Sequence, residues 1–186
     1  IPQNIHMNLL GKGFQTKLKN KLKVYNKKYI KKHGNKYKAT KQKMKIRNGT
    51  TGDTKEMYGI LNNTTELRGF EGGEAYSKDW LEEVANDKKR NIFLVAEKDG
   101  EMAGFLIAHI LTGRDIFLND LYVKQNYRKQ GIANKLMDEL GKFSKKIGSK
   151  FSMGLVLTAN KKMQNLFRKK DYIKGHTFYY YYKDGR

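Results

Sequence analysis

The chain has 186 residues, 38% of them hydrophobic, with 39 Lys and Arg against 18 Asp and Glu and a formal net charge of +21. That size and hydrophobic share support one core with an appendage. No apolar run reaches the length of a membrane span, and nothing in the first residues predicts a secretory signal. The absence of cysteine excludes disulfides, thiolate catalysis and cysteine metal sites, and four scattered histidines predict no metal. Opening on Ile1 predicts a processed start or added residues before Met7.

The charge is uneven. Residues 1–47 hold 15 Lys and Arg and no Asp or Glu, leaving 24 basic and 18 acidic residues for the rest. Phe14, Leu18, Leu22, Tyr25 and Tyr29 step by four, four, three and four, one face of a helix. Lys17, Lys19, Lys21 and Lys23 fill the other faces, and His33-Gly34 ends the pattern. Residues 1–42 are therefore predicted to form a basic arm with an amphipathic helix. Its expected partner is nucleic acid or a ribonucleoprotein; an anionic membrane surface is the less favoured reading.

Residues 43–186 are predicted to form the main domain. Lys43–Arg47 reads as a short strand. Asp53 with Glu56 marks a helix start, with Met57, Ile60 and Leu61 inward. Gly69 to Gly73 is a loop, and Glu66, Glu71 and Glu74 beside it are candidates for an acceptor entrance. Ser77 caps a second helix that buries Trp80, Leu81 and Val84. Strands from Asn91 and from Met102 flank Asp99-Gly100, a hairpin signal. A further strand from about Asp115 runs through Leu121-Tyr122-Val123 into a basic turn. Ile132, Leu136, Leu140, Phe143 and Ile147 mark the helix that follows. Phe151 to Ala159 reads as a buried strand, Asn160 as the start of a last helix, and Tyr172 to Lys183 as a closing strand.

The turn carries the chemistry. A strand feeding a glycine turn that opens a helix exposes backbone N–H groups with no partner inside the helix, and the helix dipole adds positive charge there. Lys124, Arg128 and Lys129 surround those donors. This is an anion site suited to phosphate. It is neither a three-glycine dinucleotide fingerprint nor a phosphate loop of the Gly-Lys-Ser/Thr kind.

Arg128-x-x-Gly131-x-Ala133 resembles the acetyl-CoA signature of the GNAT superfamily of N-acetyltransferases. Downstream, Asn160, Met163, Leu166, Phe167, Lys169 and Tyr172 fall on a second signature of that superfamily. Asp171 stands where it has Gly, and Phe167 where it has Tyr, often the proton donor to the leaving thiolate. The resemblance runs from about Met44 to Lys183. It implies an α/β fold with a mixed, mostly antiparallel sheet of six to seven strands flanked by about four helices. It implies acetyl-CoA as cofactor and an amine acceptor in a protein, on RNA or in a small molecule. The basic arm favours an acceptor bound to nucleic acid or a ribosome over free polyamines, which a chain of charge +21 repels.

The resemblance also assigns residues. The fourth and fifth strands would splay apart, exposing backbone groups of Leu121, Tyr122 and Val123 to the pantetheine arm. The pyrophosphate would sit on the amides of Arg128, Lys129, Gln130, Gly131, Ile132, Ala133 and Asn134. Asn160 would bond the pantetheine, or cap its own helix, or both. Phe167 would complete the cofactor site. Asp120 is the candidate base or amine anchor; its neighbour Asn119 stands where polyamine-acting members have a second acid. Tyr122 or one of Tyr179 to Tyr182 would stand in as proton donor, and the N–H of Leu121 or Tyr122 would stabilise the developing oxyanion. The alternative is a GNAT-fold structural or RNA-binding subunit, for example of an organellar ribosome. The expected setting is intracellular, in the cytoplasm or an organellar matrix.

Overall fold

A computed structural model describes residues 44–67, 76–179, 181 and 183, together with Thr16, Asn20, Lys21, Lys23 and Val24. The chain forms two compact units, Ile1–Gln42 and Lys43–Arg186. In the first, the five described residues are helical and exposed. The apolar stripe from Phe14 to Tyr29 lies outside the described residues, as do Gly69 to Gly73, Glu71, Glu74, Tyr180 and Tyr182. Among the described residues no helix is long and apolar enough to cross a membrane.

The second unit is a sheet with helices on both faces. Its strands are β1 (Lys45–Asn48), β2 (Asn91–Lys98), β3 (Glu101–Ile110), β4 (Ile116–Val123) and β5 (Ser152–Gly154), ordered as in the chain. The first three pairings are antiparallel and β4 with β5 is parallel. The helices are α1 (Thr51–Asn63), α2 (Lys78–Asn86), α3 (Ile132–Ile147) and α4 (Lys161–Arg168). Alternation along the strands divides the core in two. Leu94, Leu106 and Leu118 meet Ile132, Leu136 and Leu140 of α3 on one face. Val95, Phe105 and Ile107 meet Met57 and Leu61 of α1 and Leu81 and Val84 of α2 on the other.

Local signals explain most boundaries. Asp99 (φ 63°) and Gly100 (φ 81°) both adopt left-handed backbone, the turn that matches strand twist in a tight hairpin. The Ser77 side chain accepts from the Trp80 N–H at 3.2 Å to start α2. The first helix starts two residues before the predicted Asp53. Thr50 is its N-cap, and Asp53 reaches back to accept from the Thr50 N–H at 2.9 Å. Arg47 then forks onto Asp53 (2.8 Å) and Glu97 (2.7 Å), tying β1, α1 and β2 together. That bond to Arg47 holds the Asp53 carboxyl below its usual range.

The sheet has five strands among the described residues, not six or seven. Phe151 to Ala159 is a ladder only over β5, after which the chain leaves β4 and Leu155 and Leu157 stand exposed. The described residues from Tyr172 onward join no ladder, and Ile173, Phe178, Tyr179 and Tyr181 are exposed. Aromatic and β-branched residues favour strands only where a neighbouring strand and a covered face exist.

Candidate active site

The site begins where β4 and β5 part. β5 pairs with β4 only from Ile116 to Leu118. Beyond that point the outer edge of β4 has no strand partner among the described residues. The Lys124 N–H bonds the Ala103 carbonyl at 3.0 Å. Alternation then turns the backbone of Tyr122 and Asp120 toward β3, and that of Leu121 and Val123 toward the gap. Of the two backbone donors the sequence suggested, the Tyr122 N–H thus faces β3 and the Leu121 N–H faces the gap. The Val123 carbonyl accepts from Arg128 Nε at 3.0 Å, which holds that guanidinium at the mouth of the gap, 5.9 Å from the Tyr122 ring.

The basic turn follows. Lys129 (φ 61°) and Gly131 (φ 79°) are both left-handed, which folds the chain back into α3. The first bond of that helix runs from the Lys135 N–H to the Gly131 carbonyl at 3.1 Å. By helix geometry the amides of Gly131, Ile132, Ala133 and Asn134 have no such partner. A Cβ on Gly131 would meet nothing within 4 Å, so the space beside the first of these amides is open. No acidic residue stands in the first turn of α3, and Lys98 reaches Gln130 Oε1 at 2.8 Å. Free N–H groups, open space and surrounding cations fit the pyrophosphate of a coenzyme A donor.

Asn160 caps α4, its side chain accepting from the Met163 N–H at 3.0 Å. Phe167 is 9% exposed, and its Cζ lies 2.9 Å from where a Cβ on Gly154 would be. Gly154 pairs with Leu118, so the ring stands at the point where the strands separate. The α4 end explains the departure at Asp171. The Tyr172 N–H bonds the Phe167 carbonyl (3.1 Å) and the Asp171 N–H bonds that of Arg168 (3.2 Å). This is a Schellman closure, with Asp171 left-handed (φ 62°) and the Phe167 and Tyr172 rings 4.6 Å apart. Asp is among the few residues besides Gly that adopt this conformation readily.

Asp120 and Tyr122 share the opposite face, toward α1 and α2. Asp120 is 4% exposed, and burial pushes its carboxyl up to about 6. It accepts from Asn119 Nδ2 at 2.7 Å and from the Tyr76 hydroxyl at 3.2 Å. The sequence did not point to Tyr76. Its backbone is clamped by Asn62 of α1, whose amide accepts from the Tyr76 N–H (3.2 Å) and donates to its carbonyl (2.9 Å). Burial and the nearby carboxylate raise the Tyr76 hydroxyl far above its ordinary range, so it stays a donor. Its one sequence signal was an aromatic residue just before a helix cap. Tyr122 packs 5.8 Å from the Phe105 ring. Tyr179 and Tyr181 are exposed, 6.4 Å apart, on the closing segment. Among the described residues no group of three His, Asp or Glu gathers as a metal site.

Comparison with known proteins accords with this geometry. Over 65 residues the chain is 38% identical to thialysine N-epsilon-acetyltransferase of Sus scrofa, spanning 34% of this chain and 38% of that one. The fold matches a structure of AAC(6')-Iy in complex with a bisubstrate CoA analog (TM-score 0.62, 19% identity, 76% of this chain and 99% of that one). It also matches a ribosomal-protein-alanine N-acetyltransferase from Brucella melitensis biovar Abortus 2308 (TM-score 0.60, 20% identity, 76% and 99%). A third match is the PaiA N-acetyltransferase of Thermoplasma acidophilum in complex with coenzyme A (TM-score 0.61, 22% identity, 69% and 88%). The model of the acetyltransferase (GNAT) family matches residues 55–172, from within α1 through β2–β5 and α2–α4, and this chain belongs to that family.

Proposed function

We propose that the protein transfers the acetyl group of acetyl-CoA to an amine by direct attack in a ternary complex, with Asp120 as the base. The observation that carries this is the buried Asp120 carboxyl on β4 beside the strand split, oriented by Tyr76 and Asn119. Acetyl-CoA, when bound, supplies a thioester carbonyl open to an amine nucleophile. The Leu121 N–H, facing the gap, is the donor available to the oxygen on which charge develops. Leu121 and Val123 would hold the pantetheine, and the amides of residues 131–134 with Arg128 and Lys129 the pyrophosphate. Asn160 and Phe167 would close the inner end. An ammonium arriving at Asp120 loses its proton to the carboxylate, which has lost its own above about pH 6. The freed amine would form the C–N bond as the thioester C–S bond breaks, the thiolate leaving to take its proton from solvent. The relatives are named for aminoglycoside, protein-alanine and thialysine acetylation, which is why the acceptor is proposed as an amine without further restriction. The arm, residues 1–42, is proposed to bring the enzyme to nucleic acid or a ribonucleoprotein, supported by its basic composition. A setting in the cytoplasm or an organellar matrix goes with that reading.

The test follows coenzyme A release and acceptor mass with a panel of amines. The wild-type rate rises through a limb near pH 6, set by Asp120. Asp120→Asn loses that limb and slows transfer by about two orders of magnitude. A variant that keeps the wild-type rate and limb removes Asp120 as the base.

A further inference from the structure

A cavity of about 220 Å³ opens between α2 and the start of β2, with Trp80, Glu83, Arg90, Asn91 and His109 in its lining. It is joined to the Asp120 site by a row of rings. Trp80 lies 4.9 Å from the Tyr76 ring and 6.0 Å from the His109 ring, and Tyr76 bonds Asp120. The register agrees: Asp120 pairs with Ile107, and His109 lies two residues further along β3. Residues two apart share a face, roughly 7 Å apart.

The lining presents acceptors. Asn91 is 8% exposed and places Oδ1 2.7 Å from His109 Nδ1. An amide oxygen only accepts, so Nδ1 carries the proton. Burial lowers the affinity of the imidazole for a second proton, so Nε2 keeps its lone pair. Arg90 is committed to Asp87 at 2.5 Å and reaches Glu83 only at 3.4 Å. The Glu83 carboxylate therefore remains the less neutralised of the two acids. Trp80 also lines the cavity, and an indole is the ring that best attracts a cation. Carboxylate, imidazole nitrogen and indole all favour a positively charged N–H donor.

We propose that this cavity binds a second ammonium group of the acceptor, so that the preferred substrates are diamines or larger polyamines, one amine at Asp120 and another between Trp80, Glu83 and His109. The proposal rests on the acetyl-transfer reading and narrows its acceptor. The overall charge of +21 does not oppose it, because residues 1–47 carry 15 of the basic residues and none of the acidic ones.

The test is steady-state kinetics of the full chain with acetyl-CoA, using linear α,ω-diamines of graded length and the matching alkylamines. The expected result is an optimum in diamine length, where kcat/KM exceeds that of the matching monoamine about tenfold or more. Glu83→Gln lowers that ratio toward one, through KM. Glu82→Gln, exposed on the same helix and outside the cavity, leaves the ratio as it is. Transfer to monoamines with no diamine advantage, or equal effects of the two variants, overturns the subsite and leaves the acetyl-transfer reading standing. Transfer to neither series, with transfer to other amines, overturns the subsite alone; no transfer to any amine tested removes both.

Discussion

Asp120 is set against its own environment. Its carboxyl is raised to about 6 from an ordinary 3.8, so between these values the folded protein holds a proton that the unfolded chain has lost. Stability attributable to this group therefore falls as pH rises through that window, and above it the whole cost, about 3 kcal/mol, is borne. Asp120→Asn should unfold at higher temperature than the parent at pH 7.5 and lose that advantage near pH 4, read by thermal melts at both values. Asp171 is strained in the ordinary sense of a side chain at positive φ. Asp171→Gly should raise stability by about 1 kcal/mol, and Asp171→Val should lower it, since a branched Cβ tolerates that conformation worst. Equal melting temperatures for Gly, Asp and Val would show that the Schellman closure does not constrain the position.

At the scale of elements, the strand–turn–helix from Ile116 to Ile147 is the cofactor-binding candidate, and it was the most legible part of the chain. Its signal is local: apolar alternation, a glycine the turn needs, then helical spacing. Gly131→Glu puts a side chain and a negative charge into the open space beside the first of four unpaired amides. Calorimetry should show acetyl-CoA binding lost while the fold persists; unchanged affinity would mean the phosphates lie elsewhere. The acceptor side was less legible for a physical reason. Tyr76 and Asp120 are 44 positions apart and meet only because Asn62 clamps the backbone of Tyr76 to α1. No short-range pattern encodes such a contact. His109 likewise reads as one polar residue at the end of an apolar strand, and its role depends on Asn91 and Trp80 arriving from other elements. The closing strand shows the opposite error. Among the described residues Phe178 and Tyr179 have strong strand character and join no ladder, because propensity alone supplies no pairing partner.

The whole molecule divides its charge between a basic arm and a mildly basic domain. Lysines contacting phosphates act by releasing counterions, so the proposed binding of the arm to RNA or DNA should weaken steeply with salt. With about five phosphates neutralised, log K should fall with log salt at a slope of roughly −4. Removing residues 1–41 should flatten that slope and leave acetyl-CoA affinity intact, measured by fluorescence anisotropy of a labelled oligonucleotide and by calorimetry. Equal oligonucleotide affinity for both chains would give the arm another purpose and raise the membrane-surface reading. The domain also carries a built-in reporter. The chain has a single tryptophan, Trp80, held between Tyr76 and His109 at the proposed acceptor cavity. Indole emission depends on the polarity and charge immediately around the ring, so the tryptophan emission, excited at wavelengths the 12 tyrosines do not absorb, comes from that one location. An amine entering the cavity would change the brightness or colour of the emission without any label, letting acceptor affinity be read in the absence of turnover.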